Sequence, residues 1–332
     1  MGNKKTVLVT GGAGYIGSHT VKQLLERGYE AVVYDNLVSG NEEFVLTDDF
    51  VEGDIGNEKR LKETLDKYEP GAVMHFAAHC RVGESVENPA KYYHNNVVKG
   101  LTLLDTVRAF GVDQFIFSSS AAIYGDPEEV PIKEDDPKQP KNPYGQTKWT
   151  FERILEDYAT AYPLSACSLR YFNAAGSDPE GKIGEVHDPE THLIPVVLEA
   201  AAGKRDYIEI FGTDYETPDG TPIRDYIFVN DLARAHIAAL EKLNRNGDNY
   251  LAYNLGTGSG HSVREVIDTC KEVTGIDIPV RTGDRRPGDP PRLVADPEKG
   301  FEELNWRPEY EELTPIVETS WNWIKQRYEL DL

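Results

Sequence analysis

The chain is short of positive charge: 35 Lys and Arg residues stand against 57 Asp and Glu residues, a formal net charge of −22 at pH 7. A protein that follows a phosphate backbone needs a broad basic face. Nucleic-acid binding is therefore not expected. The sequence also lacks any apolar run approaching the ~20 residues that span a bilayer, so no membrane partner is expected either. The acid excess itself fits two explanations, simple solubility or a salt-rich cytoplasm.

Cysteine is scarce as well. Cys80, Cys167 and Cys270 are far apart and odd in number, which argues against a disulfide framework. The first residues, MGNKK, lead straight into a strand-like run and show no signal-peptide pattern. We therefore expect a globular protein of a reducing cytoplasm. With 332 residues it is long enough for one large domain or two smaller ones, at about 100 to 200 residues each.

A glycine-rich turn follows the first predicted strand. Residues 6–10 read TVLVT, a β-branched run typical of a buried parallel strand, and GGAGYIG follows at once. A dinucleotide pyrophosphate can sit on such a turn because glycines allow close backbone approach and the next helix begins there. The carboxylate of Asp35, about 20 residues after the turn, is placed to hold the adenosine ribose and to repel a 2′-phosphate, which indicates NAD rather than NADP. The predicted phosphate-binding glycines are Gly11, Gly12, Gly14 and Gly17.

Strand and helix patterns then alternate. Strands are predicted at 31–34, 50–52, 72–76, 114–118 and 166–170, and helices at about 57–67, 90–109 and 145–161. Repeated βαβ units imply an α/β fold with a doubly wound parallel (Rossmann) sheet, whose ligands bind at the carboxyl ends of the strands. Longer loops from about residue 174 indicate a smaller C-terminal α/β lobe. We expect an NAD-binding domain at 1–175 and a nucleotide-sugar-binding lobe at 176–332, with some chain crossing back to the sheet.

The residues that carry chemistry are Ser120, at a predicted strand end, and Tyr144 and Lys148, four apart on one helix face. A phenol must lose about 3 pKa units, roughly 4 kcal/mol, to act as a base near neutrality. An ammonium about 4 Å away at an effective dielectric of ~20 supplies a contribution of that size, and an oxidised nicotinamide would add a second positive charge. Tyr144 is thus predicted as acid and base and Ser120 as a hydrogen-bond donor to the reacting oxygen.

The chain resembles the extended short-chain dehydrogenase/reductase family, and within it the enzymes that act on UDP-hexoses, in many motifs that follow one another in the same order. They include VTGGAGYIGSH at 9–19, HFAAHCRVGESV at 75–86, FSSSAAIYGD at 117–126, NPYGQTK at 142–148, LRYFNAAGS at 169–177, NLGTG at 254–258 and RRPGDPPRLVAD at 285–296. The resemblance implies that Ser120, Tyr144 and Lys148 are the catalytic trio. Besides the glycines, it implies that NAD is lined by Tyr15, Ile16, Asp35, Asn36, Asp54, Ile55, Phe76, Ala77, Ala78, Asn95 and Phe172.

The same resemblance implies a UDP-sugar as substrate. Arg224 and Arg286 would bind its diphosphate and Asp289 its ribose, although salt bridges to Asp225 or Asp284 are an alternative for the arginines. Leu293 stands where the family controls the size of the sugar pocket, so acceptance of UDP-N-acetylhexosamines is a hypothesis. The remaining predicted substrate residues are Asn173, His192, Leu193 and Phe211, of which His192 replaces an asparagine found in some family members.

The activity implied is the interconversion of UDP-glucose and UDP-galactose through a transient 4-keto sugar, with NAD as a tightly held cofactor. A 4,6-dehydratase is an alternative, disfavoured because Ala121 and Ala122 stand where such relatives carry an acidic pair. A non-enzymatic NAD-binding regulator is a second alternative. No metal site is predicted. His75 and His79 are four residues apart, but the chain between them continues a predicted strand into a loop, so the two side chains need not point to the same side. The helices near 90–109 and 145–161 are those through which relatives dimerise, so a homodimer is expected.

Overall fold

The computed structural model describes residues 3–246, 249–286 and 289–330; Pro287 and Gly288, which belong to the predicted 285–296 motif, lie outside the described residues. Its main sheet, within those residues, has seven strands in the order β11-β6-β5-β4-β1-β2-β3, all paired in parallel. The doubly wound sheet predicted from the βαβ pattern is confirmed. The seven strands are β1 (Asn3–Thr10), β2 (Glu30–Asp35), β3 (Phe50–Glu52), β4 (Pro70–His75), β5 (Gln114–Ser118), β6 (Ser165–Tyr171) and β11 (Tyr250–Leu255).

The shorter strands form small sheets beside the main one. Strand β10 pairs with β7, β13 pairs with β8, and β9 lies between β12 and β14. These strands are β7 (Asn173–Ala175), β8 (Ile208–Phe211), β9 (Ile223–Arg224), β10 (Tyr226–Phe228), β12 (His261–Ser262), β13 (Val280–Gly283) and β14 (Arg292–Leu293).

Helices cover both faces of the main sheet and build the second lobe. Their starts follow local sequence signals: the Asn142 side chain caps α6 with Pro143 as its first residue, and Ser262 and Glu265 form a reciprocal capping box on α9. The helices are α1 (Tyr15–Glu26), α2 (Glu58–Tyr68), α3 (Val82–Glu87), α4 (Pro89–Tyr92), α5 (Gly100–Ala109), α6 (Pro143–Ala161), α7 (Leu193–Ala201), α8 (Val229–Asn246), α9 (Val263–Thr274), α10 (Glu298–Leu304) and α11 (Leu313–Arg327).

The helix predicted at 90–109 is interrupted. Residues Tyr93–Lys99, between α4 and α5, form a π-helical stretch, a wider turn that is frequent at functional sites. Within it the Asn96 side chain is buried and makes hydrogen bonds to the His79 backbone, while Gly100 lies so close to the Phe151 ring that a Cβ there would be 2.7 Å from it. The 3.6-residue period of the sequence could not signal this change of pitch.

Three apolar clusters hold these layers together. Two of them fill the opposite faces of the main sheet, around Val9 and Met74 on one side and Leu8 and Phe115 on the other. The third packs α7, α9 and α11 of the second lobe around residues such as Trp321. Among the described helices, none combines the length and the apolar content that crossing a bilayer would require.

Candidate active site

The turn between β1 and α1 is a tight backbone cradle. A Cβ on Gly17 would lie 2.1 Å from the Gly11 carbonyl oxygen, and a Cβ on Gly11, whose φ is +77°, would lie 2.5 Å from the Ala77 amide nitrogen. Helix α1 starts directly behind this turn, with glycine as its N-cap and with no acidic residue in its first turn. Its positive end is therefore available to an anion, which fits the pyrophosphate of a dinucleotide.

Asp35 ends the neighbouring strand β2 and closes the same turn. Its Oδ2 accepts a hydrogen bond from the Ala13 amide at 3.1 Å, and its Oδ1 accepts one from the Leu37 amide at 2.9 Å. Burial raises the pKa of this carboxyl, although the backbone donors oppose the rise. Each carboxylate oxygen keeps acceptor capacity beyond these bonds, so ribose hydroxyls can still be received there.

A second acidic position follows β3. Asp54 Oδ2 accepts hydrogen bonds from Lys99 at 2.6 Å and from Asn36 at 3.1 Å. Burial alone would raise the pKa of Asp54, but the hydrogen bond from Lys99 leads the contributions that lower it below its usual value. The sequence singled out Asp54 and Asn36 but missed Lys99, because a lysine inside a helical run carries no signal of its partner.

The other positions predicted for NAD lie along the same strand ends. The amides of Phe76 and Ala77 donate to the Thr10 carbonyl, which joins the end of β4 to the glycine turn. Asn95 belongs to the π-helical stretch and donates to Asn96. Of the remaining predicted positions, Tyr15, Ile55, Gly12 and Gly17 are buried, and Gly14, Ile16, Ala78 and Phe172 are half-buried.

The predicted catalytic residues come together where β5 ends against the start of α6. Ser120 lies beside Tyr144 and acts to lower the pKa of its phenol, and Tyr144 and Lys148 are both buried, at 8% and 3% exposure. Lys148 Nζ donates to the Ser118 carbonyl at 2.6 Å and lies 5.9 Å from the centre of the Tyr144 ring. Strand end and helix start thus bring a hydroxyl, a phenol and an amine close together.

The electrostatics of this group differ from the simple expectation. Burial raises the pKa of Tyr144 well above its usual value, opposed by Ser120, and burial lowers the pKa of Lys148 to about 8. The protein's own groups therefore keep the phenol protonated, and Lys148 alone does not bring it toward neutrality. A further positive charge next to the phenol, such as an oxidised nicotinamide, is what would favour the phenolate.

A buried ion pair between Arg170 and Glu152 stabilises the serine segment at 118–120. Arg170 donates to both carboxylate oxygens of Glu152, at 3.1 Å from Nε to Oε1 and 2.7 Å from NH2 to Oε2. Ser119 donates to the same carboxylate, so helix α6 and strands β5 and β6 are fixed to one another beside Ser120. This support was missed in the sequence, where Glu152 reads as an ordinary helical acid.

Asn96 is a second residue that the sequence did not single out. Its side chain accepts from the His79 amide at 2.9 Å, donates to the His79 carbonyl at 3.0 Å, and donates to Thr147 Oγ1 at 3.1 Å. Thr147 in turn donates to the Tyr144 carbonyl at 2.7 Å. The loop after β4 is therefore tied to the turn of α6 that carries Tyr144; the YYHNN run at 92–96 was the available signal.

The residues predicted for the substrate gather partly in the second lobe. Arg224 pairs with Asp289, rather than with Asp225, and also donates to the Pro290 carbonyl at 2.9 Å. The guanidinium of exposed Arg286 lies 4.1 Å from the centre of the Phe211 ring. These four predicted residues thus form two adjoining pairs at the ends of β8 and β9.

Leu293 and Asn173 connect that group to the catalytic side. Leu293 is the register partner of Arg224 and packs, with Phe172, on a small apolar cluster of Ile123, Tyr124 and Ile132. The Asn173 amide donates to the Asp225 carbonyl at 3.0 Å. His192 and Leu193, by contrast, lie at the start of α7, where His192 contacts Glu185 and no described contact joins it to Arg224.

Asp225 organises this lobe, although the sequence suggested only a salt-bridge partner. Its buried carboxylate accepts hydrogen bonds from Thr257 Oγ1 and the Thr257 amide, both at 2.9 Å, and from the amides of Gly258 and Ala295 at 3.1 Å. Three motifs that are distant in sequence, around 225, 257 and 295, therefore meet on one side chain.

Comparison with known proteins agrees with this geometry. The model of the NAD dependent epimerase/dehydratase family matches residues 7–256. The chain belongs to that family. UDP-glucose 4-epimerase of Rhizobium meliloti (strain 1021) is 50% identical over 321 residues, 97% of either chain.

Solved structures of epimerases superpose closely on this family member. The UDP-glucose 4-epimerase from Brucella ovis in complex with NAD gives a TM-score of 0.93 with 54% identity, covering 96% of this chain and 97% of that one. The enzyme from Bifidobacterium longum in complex with NAD+ and UDP gives 0.92 with 38% identity, covering 97% and 99%. The expected fold and the expected family are confirmed, and NAD is the cofactor.

Proposed function

We propose that the protein is an NAD-dependent epimerase that interconverts UDP-glucose and UDP-galactose at C4. The observation that carries the proposal is the joining of two features at one sheet edge. The β1–α1 turn fits a dinucleotide pyrophosphate, and the Ser120, Tyr144 and Lys148 group follows β5, two strands away in the sheet. The full-length likeness to proteins named UDP-glucose 4-epimerase supports the same reaction.

In the proposed mechanism, bound NAD supplies the hydride acceptor and donor. Tyr144 Oη accepts the proton of the sugar's 4-hydroxyl as the carbon is oxidised, and returns it when the 4-keto sugar is reduced on its other face. Ser120 is placed to hold the reacting oxygen, because it lies beside Tyr144 just after the end of β5. Lys148, fixed by the Ser118 carbonyl, keeps an ammonium near the phenol. Burial of both residues excludes water from the proton transfer.

The substrate side of the proposal rests on the second lobe. Arg224 and Arg286 offer planar donors to a diphosphate, and Asp289, held beside Arg224, offers an acceptor to the uridine ribose. The sugar must turn over between the two hydride transfers. Firm contacts to the nucleotide together with few contacts to the sugar meet that requirement.

The two alternatives lack a supporting feature. A 4,6-dehydratase needs an acid beside the sugar's C6, whereas the short 3₁₀ turn that follows Ser120 carries Ala121 and Ala122. A regulator without activity would have no use for a buried Tyr144 and Lys148, whose desolvation costs stability.

The deciding experiment incubates the purified protein with UDP-galactose, without added NAD, and separates the products. Conversion to an equilibrium mixture with UDP-glucose is expected, since the cofactor is regenerated in every cycle. A 4-keto-6-deoxy product would replace the proposal by dehydration, and an unchanged substrate in NAD-containing protein would refute it.

A parallel incubation with UDP-GlcNAc tests the pocket at Leu293. This side chain is half-buried and smaller than a tyrosine, so we propose that N-acetylated UDP-sugars are accepted. Turnover of UDP-GlcNAc that falls in Leu293→Tyr while UDP-galactose turnover persists would support the idea. An absence of UDP-GlcNAc turnover in the unsubstituted protein would refute it.

We also propose the division into an NAD unit at 1–175 and a UDP-sugar lobe at 176–332, and a homodimer in a reducing cytoplasm. The three cysteines are free, which suits that compartment. The exposed side chains Tyr93, Val98 and Tyr162 lie on or beside the two helical segments expected to pair. Sedimentation equilibrium tests the dimer; a mass of one chain at micromolar concentration would count against it.

A further inference from the structure

The loop between β7 and α7 carries a compact group of four side chains, of which only His192 was predicted to contact the substrate. Glu185, His187, Glu190 and His192 lie within eight residues of one another in sequence, and their ligand-type atoms all lie within 4.8 Å of one another. The two carboxylate side chains are each only 5% exposed, and the His187 side chain is 22% exposed. His192, at 51%, forms the solvent side of the group.

The separations match the edges of a small coordination tetrahedron. Metal–ligand bonds of 2.0–2.1 Å, as zinc makes to imidazole nitrogen and carboxylate oxygen, require ligand atoms roughly 3.3 Å apart. His187 Nδ1 lies 3.4 Å from Glu185 Oε1 and 3.2 Å from Glu190 Oε2. His192 Nδ1 lies 3.9 Å from Glu190 Oε1 and is in direct contact with Glu185 Oε1. The two distances from His187 are close to such an edge, while the others, all within 4.8 Å, would have to adjust by side-chain rotation to place one ion among all four.

The charge of the group also favours a cation. Neither Glu185 nor Glu190 has a lysine or arginine within salt-bridge distance among the described residues; their ionic partners there are the two imidazoles. Two nearly buried carboxylates are costly unless paired. The negative charge of the two carboxylates favours a divalent ion between them.

The loop that carries these side chains is held in place from three directions. The Tyr15 ring of α1 packs edge-on against His187 with 6.3 Å between ring centres. Trp323 of α11 donates its indole N–H to the Glu185 carbonyl at 3.3 Å, and Arg81 donates to the Asp188 carbonyl. Such surrounding contacts fix ligand orientation before an ion arrives.

We propose that Glu185, His187, Glu190 and His192 form a binding site for a divalent transition-metal ion, with Zn²⁺ as the expected occupant. Two imidazole nitrogens and two carboxylate oxygens are a ligand set that zinc takes in tetrahedral geometry. No metal site was predicted from the sequence, where only His75 and His79 were considered as ligands. The E-x-H-x-x-E-x-H spacing at 185–192 was the signal that could have found it.

The consequence of occupancy is a fixed start for α7. His192 is the N-cap of that helix and Leu193 is its first residue, so an ion held by His192 would lock both in position. The ion would therefore stabilise the wall of the proposed substrate pocket without being needed for hydride transfer.

The test measures metal content rather than activity. Untagged full-length protein is incubated with equimolar ZnSO₄, dialysed against metal-free buffer and analysed by mass spectrometry of the elements. About one zinc per chain is expected, and a lower content in His187→Ala, since loss of one ligand or of its support weakens binding about 10- to 100-fold. His94→Ala, an exposed histidine in the π-helical stretch, is the matched control and should retain the zinc.

A cobalt titration of the unsubstituted protein removes any dependence on the folding of the variant. Co²⁺ in this site should give the intense visible absorption of four-coordinate cobalt, and one equivalent of Zn²⁺ should abolish it. Zinc content far below one per chain in the unsubstituted protein would overturn the proposal. So would equal content in folded His187→Ala, or a weak six-coordinate cobalt spectrum. All of these outcomes are independent of whether UDP-galactose is converted.

Discussion

The proposed dinucleotide site and the proposed UDP site are formed from the sequence in different ways. On the first side, the glycine turn and Asp35 lie within one βαβ unit, so that Gly11, Gly17 and Asp35 meet through regular elements. On the second side, Arg224 meets Asp289 and Asp225 meets Ala295 across about 70 residues of intervening chain. The first site depends on backbone shape and the second on side-chain contacts between loops.

This difference predicts how each side fails when it is changed. A site formed by backbone atoms cannot accommodate an added methyl group, because backbone atoms cannot rotate away from it. A side-chain site loses one contact at a time, because its neighbours remain anchored elsewhere. The proposed catalytic group at Tyr144 follows β5 in the same sheet as the glycine turn. Four substitutions test the comparison.

The largest loss of activity is expected from a substitution of Tyr144. Tyr144→Phe removes the group that exchanges the proton, and general acid–base catalysis contributes about 10²- to 10⁴-fold. We expect kcat for UDP-galactose to fall by about that factor while NAD remains bound, as measured by a coupled assay and by cofactor release on denaturation. Tyr158→Phe, on the same helix but with an exposed hydroxyl bonded to Asp105, should stay within about twofold. Comparable losses in the two variants would remove Tyr144 from its role.

Gly17→Ala tests the rigidity of the dinucleotide side. The added Cβ would meet the Gly11 carbonyl at 2.1 Å, so the turn must shift at a cost of about 1–3 kcal/mol of unfolding free energy. We expect purified protein to retain much less NAD and to melt at lower temperature. Gly83→Ala, at an exposed helical position with nothing within 4 Å of the new methyl, should change neither quantity for the worse. Retention of NAD at the unsubstituted level by Gly17→Ala would contradict the cradle model.

Arg224→Ala tests the side-chain character of the UDP side. Loss of a hydrogen bond to a charged group costs about 1.5–3 kcal/mol, so KM for UDP-galactose should rise about 10- to 100-fold. The turnover number should change much less, because Tyr144 and the dinucleotide cradle are untouched. Steady-state kinetics measure KM and kcat separately, and Arg153→Ala, on the exposed surface of α6, is the control. A fall confined to kcat would place Arg224 in the chemistry instead of the nucleotide contact.

The smallest effect concerns acid stability on the dinucleotide side. Burial lowers the pKa of His236, packed on Phe76 with 4.8 Å between ring centres, from 6.5 to about 4. Above pH 6.5 the imidazole is neutral in both folded and unfolded chains. Between pH 6.5 and 4 only the unfolded chain binds the proton, so stability is lost as the pH falls, by at most about 1.4 kcal/mol per pH unit for one histidine.

Replacing His236 by Phe should therefore reduce the slope with which the unfolding free energy declines between pH 6.5 and 4.5. The reduction is at most the contribution of one histidine, about 1.4 kcal/mol per pH unit. Urea unfolding at several pH values measures the slope, and His94→Gln at an exposed site should leave it unchanged. Buried His19 and His75, whose pKa values burial lowers to about 4 and about 3, will keep part of the decline. An identical slope in His236→Phe would show that His236 is protonated at similar pH in both states.

The same contrast explains what could be predicted from the sequence. The strands of the sheet, the glycine turn, Asp35 and the Tyr144–Lys148 spacing are local patterns, and the structure places them together at one sheet edge. The roles of Glu152, Asn96 and Asp225 were not visible, because each acts through partners distant in sequence and only the fold brings them within hydrogen-bond distance. The π-helical stretch was missed because apolar periodicity is insensitive to one extra residue in a turn.

The return of β11 to the main sheet has a consequence for any attempt to separate the lobes. Strand β11 covers the outer side of β6 over six residue pairs, from Tyr250↔Ala166 to Leu255↔Tyr171. A protein truncated after residue 175 would present β6 as a bare edge with unpaired amides and carbonyls, a template for association with other chains. A segment from the second half of the chain thus completes the main sheet, and we expect the isolated fragment 1–175 to aggregate instead of remaining soluble.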